Sequence, residues 1–142
     1  MVNEILKEIK ITSLSTFTVD SGDVLHAIKK DDPGYNGLGE VYFSFIKSNA
    51  VKAWKLHKRM TLNLVVPLGM VRFVFYDAHN TGNYRVEDIG EKNYVRLTVP
   101  PNIWFGFKGI ANNPSLVTNI ADLKHDTEEV IKKEMTAFCY KW

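Results

Sequence analysis

The chain has 142 residues, 45% of them hydrophobic and 24% charged, with a formal net charge of +2. That length suits a single domain over residues 1–142 with one sizeable core, and the balance of residue types excludes a disordered or fibrous chain. A sequence pI near 8.6 is too mild for a nucleic-acid binder, whose footprint is a concentrated basic stripe.

The opening "MVNEILKEIK" carries charges throughout, where a signal peptide needs an unbroken apolar run. Nowhere do roughly eighteen apolar residues follow one another, so no membrane span is expected. Most segments then alternate, or run apolar for a few residues between turn signals, which is the mark of strands. "EIKITSLSTFTVD" and "GDVLHAIKK" read as the first two strands, and the Pro and Gly residues of "DDPGYNGLG" break the chain into a loop. "EVYFSFIK" resumes the alternation. "LNLVVPLGMVRFVFYD" reads as two apolar strands joined by a tight turn around Pro67 and Gly69, and hence adjacent. "NYVRLTVPPNIWFGFKGI" gives a strand, a Pro-Pro corner and an aromatic strand, and "SLVTNIAD" gives the last clear strand. About eight strands with short loops predict an all-β jelly roll or barrel.

One short C-terminal helix is expected in "DTEEVIKKEM", with Asp126 as N-cap, Glu129 as its capping-box partner, and Lys132 and Lys133 toward the far end. The aromatic tail "TAFCYKW" is expected to pack against the barrel, a dimer contact being the alternative. Its Cys139 is the only cysteine of the chain, which excludes an internal disulfide. Without a C-x-x-C or paired Cys/His spacing, structural zinc is not expected, and a reducing, cytoplasmic setting is.

The segment "VKAWKLHKRMTLN" alternates so that Lys55, His57, Arg59, Thr61 and Asn63 share one strand face, with Trp54, Leu56, Met60 and Leu62 on the other. Such a polar row is either a solvated face or a lined pocket. Lys55 and Arg59 could meet a diphosphate, and the planar fork of Arg suits phosphate oxygens.

Three stretches, "GEVYFSFIKSNAVKAWKLHKRMTLN", "GMVRFVFYD" and "VPPNIWFGFKGI", in this order and spacing, carry a resemblance that runs from roughly Asp20 to Asp122. They resemble the dTDP-4-dehydrorhamnose 3,5-epimerase family of cupin-type sugar-nucleotide enzymes. His57 and Gly69 match the histidine that ends one strand of that family and the glycine of the next turn. Pro100, Pro101, Gly106 and Phe107 match its "PPxxxxGF" corner.

The resemblance implies a cupin-type jelly-roll β-barrel, usually a homodimer, whose mouth holds a nucleotide-diphosphate sugar with a C4 ketone. The family's histidine removes the proton from a carbon next to that ketone, and His57 matches its position. Such a proton is acidic because the carbanion delocalises into the carbonyl, so the site needs a neutral imidazole and a donor or cation for the enolate oxygen. The enolate-stabilising lysine of the family falls on Leu62, its general-acid tyrosine near Thr118, and its second histidine on Phe105. The C-terminal region that supplies the histidine's acidic partner is cut short. A change at one carbon is therefore expected rather than at two.

The chain is also similar to the sugar 3,4-ketoisomerases, whose H-x-H-K-K motif faces "KLHKR" here with Lys55 in place of the first histidine. Metal-binding cupins place His-x-His and a later Glu where this chain has Lys55, His57 and Thr61, so neither metal nor other cofactor is expected.

The expected site is thus His57 as general base, with Lys55, Arg59, Asn63, Trp104 and Phe105 contacting substrate. Lys55 would also depress the His57 pKa and keep the ring neutral. Trp104, Phe105 and Phe107 read either as an aromatic wall for a base or sugar ring or as core. Tyr42, Tyr76 and Tyr84 are alternative replacements for the missing acid, with Asp77 beside Tyr76, and His26, His79 and His125 are expected in solvent. The rival expectation is a non-catalytic cupin that binds a nucleotide sugar or a partner protein.

Overall fold

A computed structural model of the chain describes residues 4–80 and 82–142. A short helix, α1 (Glu4–Lys7), precedes β1 (Lys10–Ser13), β2 (Thr16–Phe17), β3 (Val24–Leu25), β4 (Glu40–Ile46), β5 (Val51–His57) and β6 (Leu62–Leu68). There follow β7 (Met70–Tyr76), β8 (Tyr84–Gly90), β9 (Val95–Val99), β10 (Trp104–Gly109), β11 (Ser115–Ala121) and β12 (Val130–Lys132), then a 3-10 turn at Met135–Ala137. One five-stranded sheet has the order β1-β9-β6-β11-β4, a second has β12-β5-β10-β7-β8, and β2 and β3 form a hairpin of their own. All these strands pair antiparallel. No helix among the described residues is long and apolar enough to cross a membrane.

The two sheets meet through their alternating apolar positions. Leu62, Leu64 and Val66 of β6, Leu97 and Val99 of β9, and Val71, Phe73 and Phe75 of β7 join one buried cluster. This is the jelly roll that the strand pattern predicts.

The intervening positions of β6 and β9 are also buried, because the "DDPGYNGLG" loop covers the outer face of the first sheet. Arg96, fully buried, donates from Nη1 to the Ala27 carbonyl and from Nη2 to the Pro33 carbonyl, each at 2.7 Å. Asn63 Nδ2 donates to the Gly34 carbonyl at 3.0 Å.

The strands on either side of Gly69 are not neighbours in one sheet, as the tight-turn reading expected. β6 lies in the first sheet and β7 in the second, so the corner carries the chain across the sandwich. Gly69 has φ of +86°, in the left-handed region, and a Cβ there would run into Ser115 Oγ. The opening segment also divides further than expected, into β1 and β2, and "GDVLHAIKK" keeps only the two residues of β3.

The segment expected to be helical takes another form. Asp126 accepts from Glu129 N–H through its carbonyl and from Glu128 N–H through its carboxylate, which makes a turn, and Val130–Lys132 then pairs with β5. The physical reason is the open edge of β5: β-branched Val130 and Ile131 gain ladder bonds there that outweigh a weak local helix preference. The C-terminal helical turn falls just beyond, at Met135–Ala137. The tail packs against the barrel, with Phe138, Tyr140 and Trp142 around Trp54 at ring distances of 5.3, 6.4 and 5.2 Å.

Candidate active site

A cavity of about 750 Å³ opens between the sheets. That volume is within the range of small-ligand pockets. The first sheet contributes Tyr42 and Ser44 of β4, Leu62 and Leu64 of β6, and Val117 and Asn119 of β11. The second contributes β5 from Lys52 to Lys55 together with His57, then Phe105 and Phe107 of β10, and Lys132 of β12.

A β-bulge prepares this wall. The pairing of β10 with β5 shifts register between Phe105 and Gly106, so that Phe105 faces Lys55 and Gly106 faces Ala53, leaving Trp54 as the extra residue. Strict alternation is broken there, and Lys52 and Lys55 come to the same cavity.

His57 closes β5 and is 8% exposed. Its Nδ1 is hydrogen-bonded to Glu129 Oε1, and its ring stacks on Phe105 at 6.0 Å and 22°. Glu129 Oε2 accepts from the backbone N–H of Arg59 at 3.2 Å and of Met60 at 3.3 Å. Burial pushes the Glu129 carboxyl up, but the His57 ring and the two backbone donors outweigh it and hold the group below the usual carboxylate range. An ionised Glu129 makes Nδ1 the proton-bearing nitrogen of a neutral ring, which leaves the Nε2 lone pair for the cavity. The acidic partner expected to be missing is therefore present, in the residue read from sequence as a helix cap.

Tyr42 stands on the opposite sheet. Its Oη accepts from Asn119 Nδ2 at 3.0 Å, while Asn119 Oδ1 accepts from the backbone N–H of Asn63 at 3.2 Å. Burial pushes the Tyr42 phenol up, the Asn119 bond partly offsets this, and the carboxylates of Glu40 and Glu129 add to the rise.

The mouth is cationic. Lys52, Lys55, Lys132 and Lys133 line it beside a single carboxylate, Glu134. Lys55 is pushed down by burial and by the charges of Lys132 and Lys52. Lys133 Nζ sits 5.1 Å from the Trp104 ring centre and 5.4 Å from that of Phe138, a cation–π seat against the tail. Among the described residues, no three His, Cys, Asp or Glu side chains gather as a metal site would require.

Of the residues expected from sequence, His57, Lys55 and Phe105 line the cavity. Arg59 does not: its side chain is 62% exposed and paired with Asp126 at 2.9 Å, because the chain turns between β5 and β6 and the alternation does not carry across. Asn63 points away beneath the loop, between inward-facing Leu62 and Leu64, and accepts from Thr98 Oγ1 at 2.6 Å. Trp104 belongs to the aromatic cluster under the tail. Tyr76 and Tyr84 stack on each other there at 4.8 Å, so of the three tyrosines Tyr42 alone lines the cavity. Sequence reasoning missed Glu129, Lys52, Lys132 and Lys133 as site residues. The apolar pair Val130 and Ile131 was the one signal of a strand that would bring three of them in.

No protein-family model matches the chain. The crystal structure of a dTDP sugar isomerase from Desulfovibrio desulfuricans G20 is 31% identical and superposes with a TM-score of 0.91, covering 96% of this chain and 91% of that one. The chain belongs to the family of this dTDP sugar isomerase. It is an isomerase by that membership.

The resemblance read from its motifs is borne out. A probable low-salt glycan biosynthesis epimerase, Agl13 of Haloferax volcanii, is 26% identical over a gapped alignment of 147 positions that covers 96% of this isomerase and 94% of that protein. The dTDP-4-dehydrorhamnose 3,5-epimerase of Sulfolobus tokodaii, at 19% identity, shares the fold with a TM-score of 0.79 over 93% of this chain and 80% of its own.

Proposed function

We propose that this isomerase acts on a nucleotide-linked 4-keto-6-deoxy sugar in deoxysugar or surface polysaccharide biosynthesis, with His57 removing the proton from one carbon beside the ketone. The observation that carries the reading is the buried His57–Glu129 pair, whose histidine lines a cavity that four lysines also line. The carboxylate holds the ring in the tautomer that presents Nε2 and stabilises the imidazolium formed when the proton is taken. Lys55, two residues from His57 on β5, supplies charge for the enolate oxygen, and Lys52, Lys132 and Lys133 supply it for the diphosphate. Phe105 holds the imidazole plane and offers the sugar an apolar face. The dTDP sugar isomerase of D. desulfuricans and the glycan epimerase Agl13 support a dTDP-linked substrate in glycan assembly.

The finer parts of the proposal are a cytoplasmic homodimer. The free, exposed Cys139 fits a reducing compartment. Edge strand β4 leaves Phe43 and Phe45 64% exposed, apolar surface that a second copy would cover. Light scattering of the purified chain gives the mass that decides for or against the dimer.

The test of the reaction is to incubate the protein in deuterium oxide with dTDP-4-keto-6-deoxyglucose and follow the protons beside the ketone by NMR. The expected result is exchange at one carbon, abolished in His57→Asn while dTDP binding persists. A folded protein that binds dTDP-, GDP- or CDP-linked keto sugars but exchanges none of them is a binder, and the proposal fails.

A further inference from the structure

The pairing of β5 with β12 sets the polar groups of the cavity out in a line. Val130 pairs with His57 and Lys132 with Lys55. Beyond the strand, Trp54 and Lys133 still exchange backbone bonds at 3.0 and 3.1 Å, and Glu134 follows with an extended backbone. Side chains two residues apart on extended chain share a face, so Glu134 continues the face of Lys132, and both line the cavity. At about 3.3 Å per residue, the lysine pair lies about 7 Å along the ladder from His57 and Glu134 about 13 Å.

Glu134 is the one carboxylate that lines the cavity among the described residues. Its side chain makes no capping bond to the turn that follows, and among the described residues it has neither a hydrogen-bond nor an ion-pair partner. The Lys52 ammonium, at the same end of β5, is engaged elsewhere and donates to the Phe45 carbonyl at 2.8 Å. A carboxylate so close to the lysines of a diphosphate site repels the phosphates, so anion binding does not account for it. An ionised carboxylate accepts hydrogen bonds and donates none, so the ligand groups it suits are uncharged hydroxyl or imide donors. The lysines offer such donors nothing, and Asn119 Oδ1 is committed to the Asn63 N–H.

The order along the ladder matches the order of groups within a sugar nucleotide. A ketone held at His57 and Lys55 leads through the anomeric oxygen to the diphosphate at Lys132, and the next group outward is the pentose. We infer that Glu134 recognises the nucleoside of the substrate by accepting a hydrogen bond from the pentose 3′-hydroxyl, which fixes the ligand with its sugar toward His57 and its base toward the C-terminal tail. The inference rests on the reading of His57 as base and of the lysines as the diphosphate site, and adds to it a specificity-determining contact from the segment after β12.

The test is a cycle of four affinities, with wild type and Glu134→Ala each titrated by calorimetry against dTDP and against its 3′-deoxy analogue. Glu134 is exposed at the mouth, so the substitution leaves the core untouched. Loss of the hydroxyl is expected to weaken binding to wild type about tenfold or more, the scale of a hydrogen bond to a charged acceptor, and to change binding to Glu134→Ala by less than about twofold. Comparing the two ligands within each protein cancels the relief of phosphate repulsion that the variant also brings. An equal loss in both proteins, or none in wild type, overturns the inference. So does an N3-methyl dTDP that is weakened only when Glu134 is present, because the carboxylate then reads the base. Deuterium exchange beside the ketone, followed in parallel, separates this contact from the chemistry. Wild type that exchanges but shows no coupling between Glu134 and the hydroxyl loses the contact alone. Wild type that shows the coupling and never exchanges keeps the contact and removes His57 as base, and wild type that binds no nucleotide overturns both.

Discussion

Glu129→Gln is the change that most directly tests how this site makes a base. Glu129 Oε2 receives two backbone N–H groups, from Arg59 and Met60, and only an oxygen can accept them. In the amide variant the single oxygen must turn toward those donors, and the NH₂ group therefore faces His57 Nδ1. A donor at that place forces Nδ1 to accept, which moves the ring hydrogen to Nε2 and occupies the lone pair that takes the substrate proton. The carboxylate-to-amide exchange in a Ser-His-Asp triad, which acts through the same tautomer change, lowers turnover about 10⁴-fold. With Tyr42 and the lysines intact, Glu129→Gln is expected to lower kcat by about 10³ to 10⁴, or roughly 4–5.5 kcal/mol of barrier at 1.36 kcal/mol per decade. Exchange of a charged for a neutral acceptor costs about 1–2 kcal/mol of fold stability, which leaves the protein folded at 25 °C. The assay is kcat together with the deuterium exchange rate, with dTDP affinity and the melting curve as controls. Stability adds a sign that can be checked. The folded-state pKa of Glu129 is lowered, so its carboxylate contributes stability above its unfolded pKa of about 4.3, and that contribution is lost as the pH falls through the folded value. The melting-temperature gap between wild type and Glu129→Gln is therefore expected to be constant above about pH 5 and to close below about pH 4. A folded Glu129→Gln enzyme with kcat within fivefold of wild type would falsify the dyad.

Arg59→Ala is expected to leave kcat and dTDP affinity within twofold, and to cost under about 1 kcal/mol in urea denaturation, because its exposed pair with Asp126 lies outside the cavity. A large loss of affinity would restore the diphosphate role that sequence alone suggested. Lys132→Gln is expected to weaken dTDP binding about 10- to 100-fold by calorimetry, the worth of about 1.5–3 kcal/mol for a bond to a charged group, and to flatten the loss of affinity with added salt. Burial, Lys132 and Lys52 hold the Lys55 pKa low, so wild-type kcat is expected to fall with rising pH earlier than an ordinary lysine on the enolate would dictate. Lys132→Gln is expected to move that fall to higher pH, and an unmoved profile contradicts the assignment. Gly69→Ala combines a left-handed backbone strain of about 1–2 kcal/mol with overpacking on Ser115 of about 1–3 kcal/mol, for a loss of about 2–5 kcal/mol in chemical denaturation. Asn63→Ala strands the Thr98 hydroxyl and the Gly34 carbonyl at about 1–3 kcal/mol each, so it is expected to lower stability far more than it changes Km.

The sandwich was legible because most of its strands announce themselves. Alternation in "EVYFSFIK" and apolar runs in "LNLVVPLG" and "MVRFVFYD" follow directly from one face turned to a shared core. His57 was legible only through the family pattern, since a histidine on a polar strand face has no signature of its own. What stayed hidden depended on contacts far apart in sequence. Arg59 and Asn63 continue the alternation on paper, but the turn between β5 and β6 resets the faces, and a strand-period argument ends where the strand does. Lys52 reaches the cavity because of a bulge that only the pairing of β10 with β5 creates. Glu129 satisfied a capping-box spacing as well as any helix start, and local propensity gave no sign that the open edge of β5 would claim the residues after it.

That edge explains why activation of the base and the charge at the mouth are one property of this fold. Val130 pairs with His57 and Lys132 with Lys55, so a single register sets Glu129 under the imidazole and Lys132 beside the lysine pair. A slip by one residue would turn every side chain of β12 to the other face. The carboxylate would leave the histidine and the ammonium would leave the mouth together. The register is pinned outside the site, by reciprocal bonds between the Trp54 and Lys133 backbones at 3.0 and 3.1 Å, and by Trp54 Nε1 donating to the Met135 carbonyl at 3.1 Å. Phe138, Tyr140 and Trp142 bury their rings around that same indole. The aromatic tail, packed on Trp54, thus holds the strand on which the acidity of the carboxylate and the charge of the rim both depend.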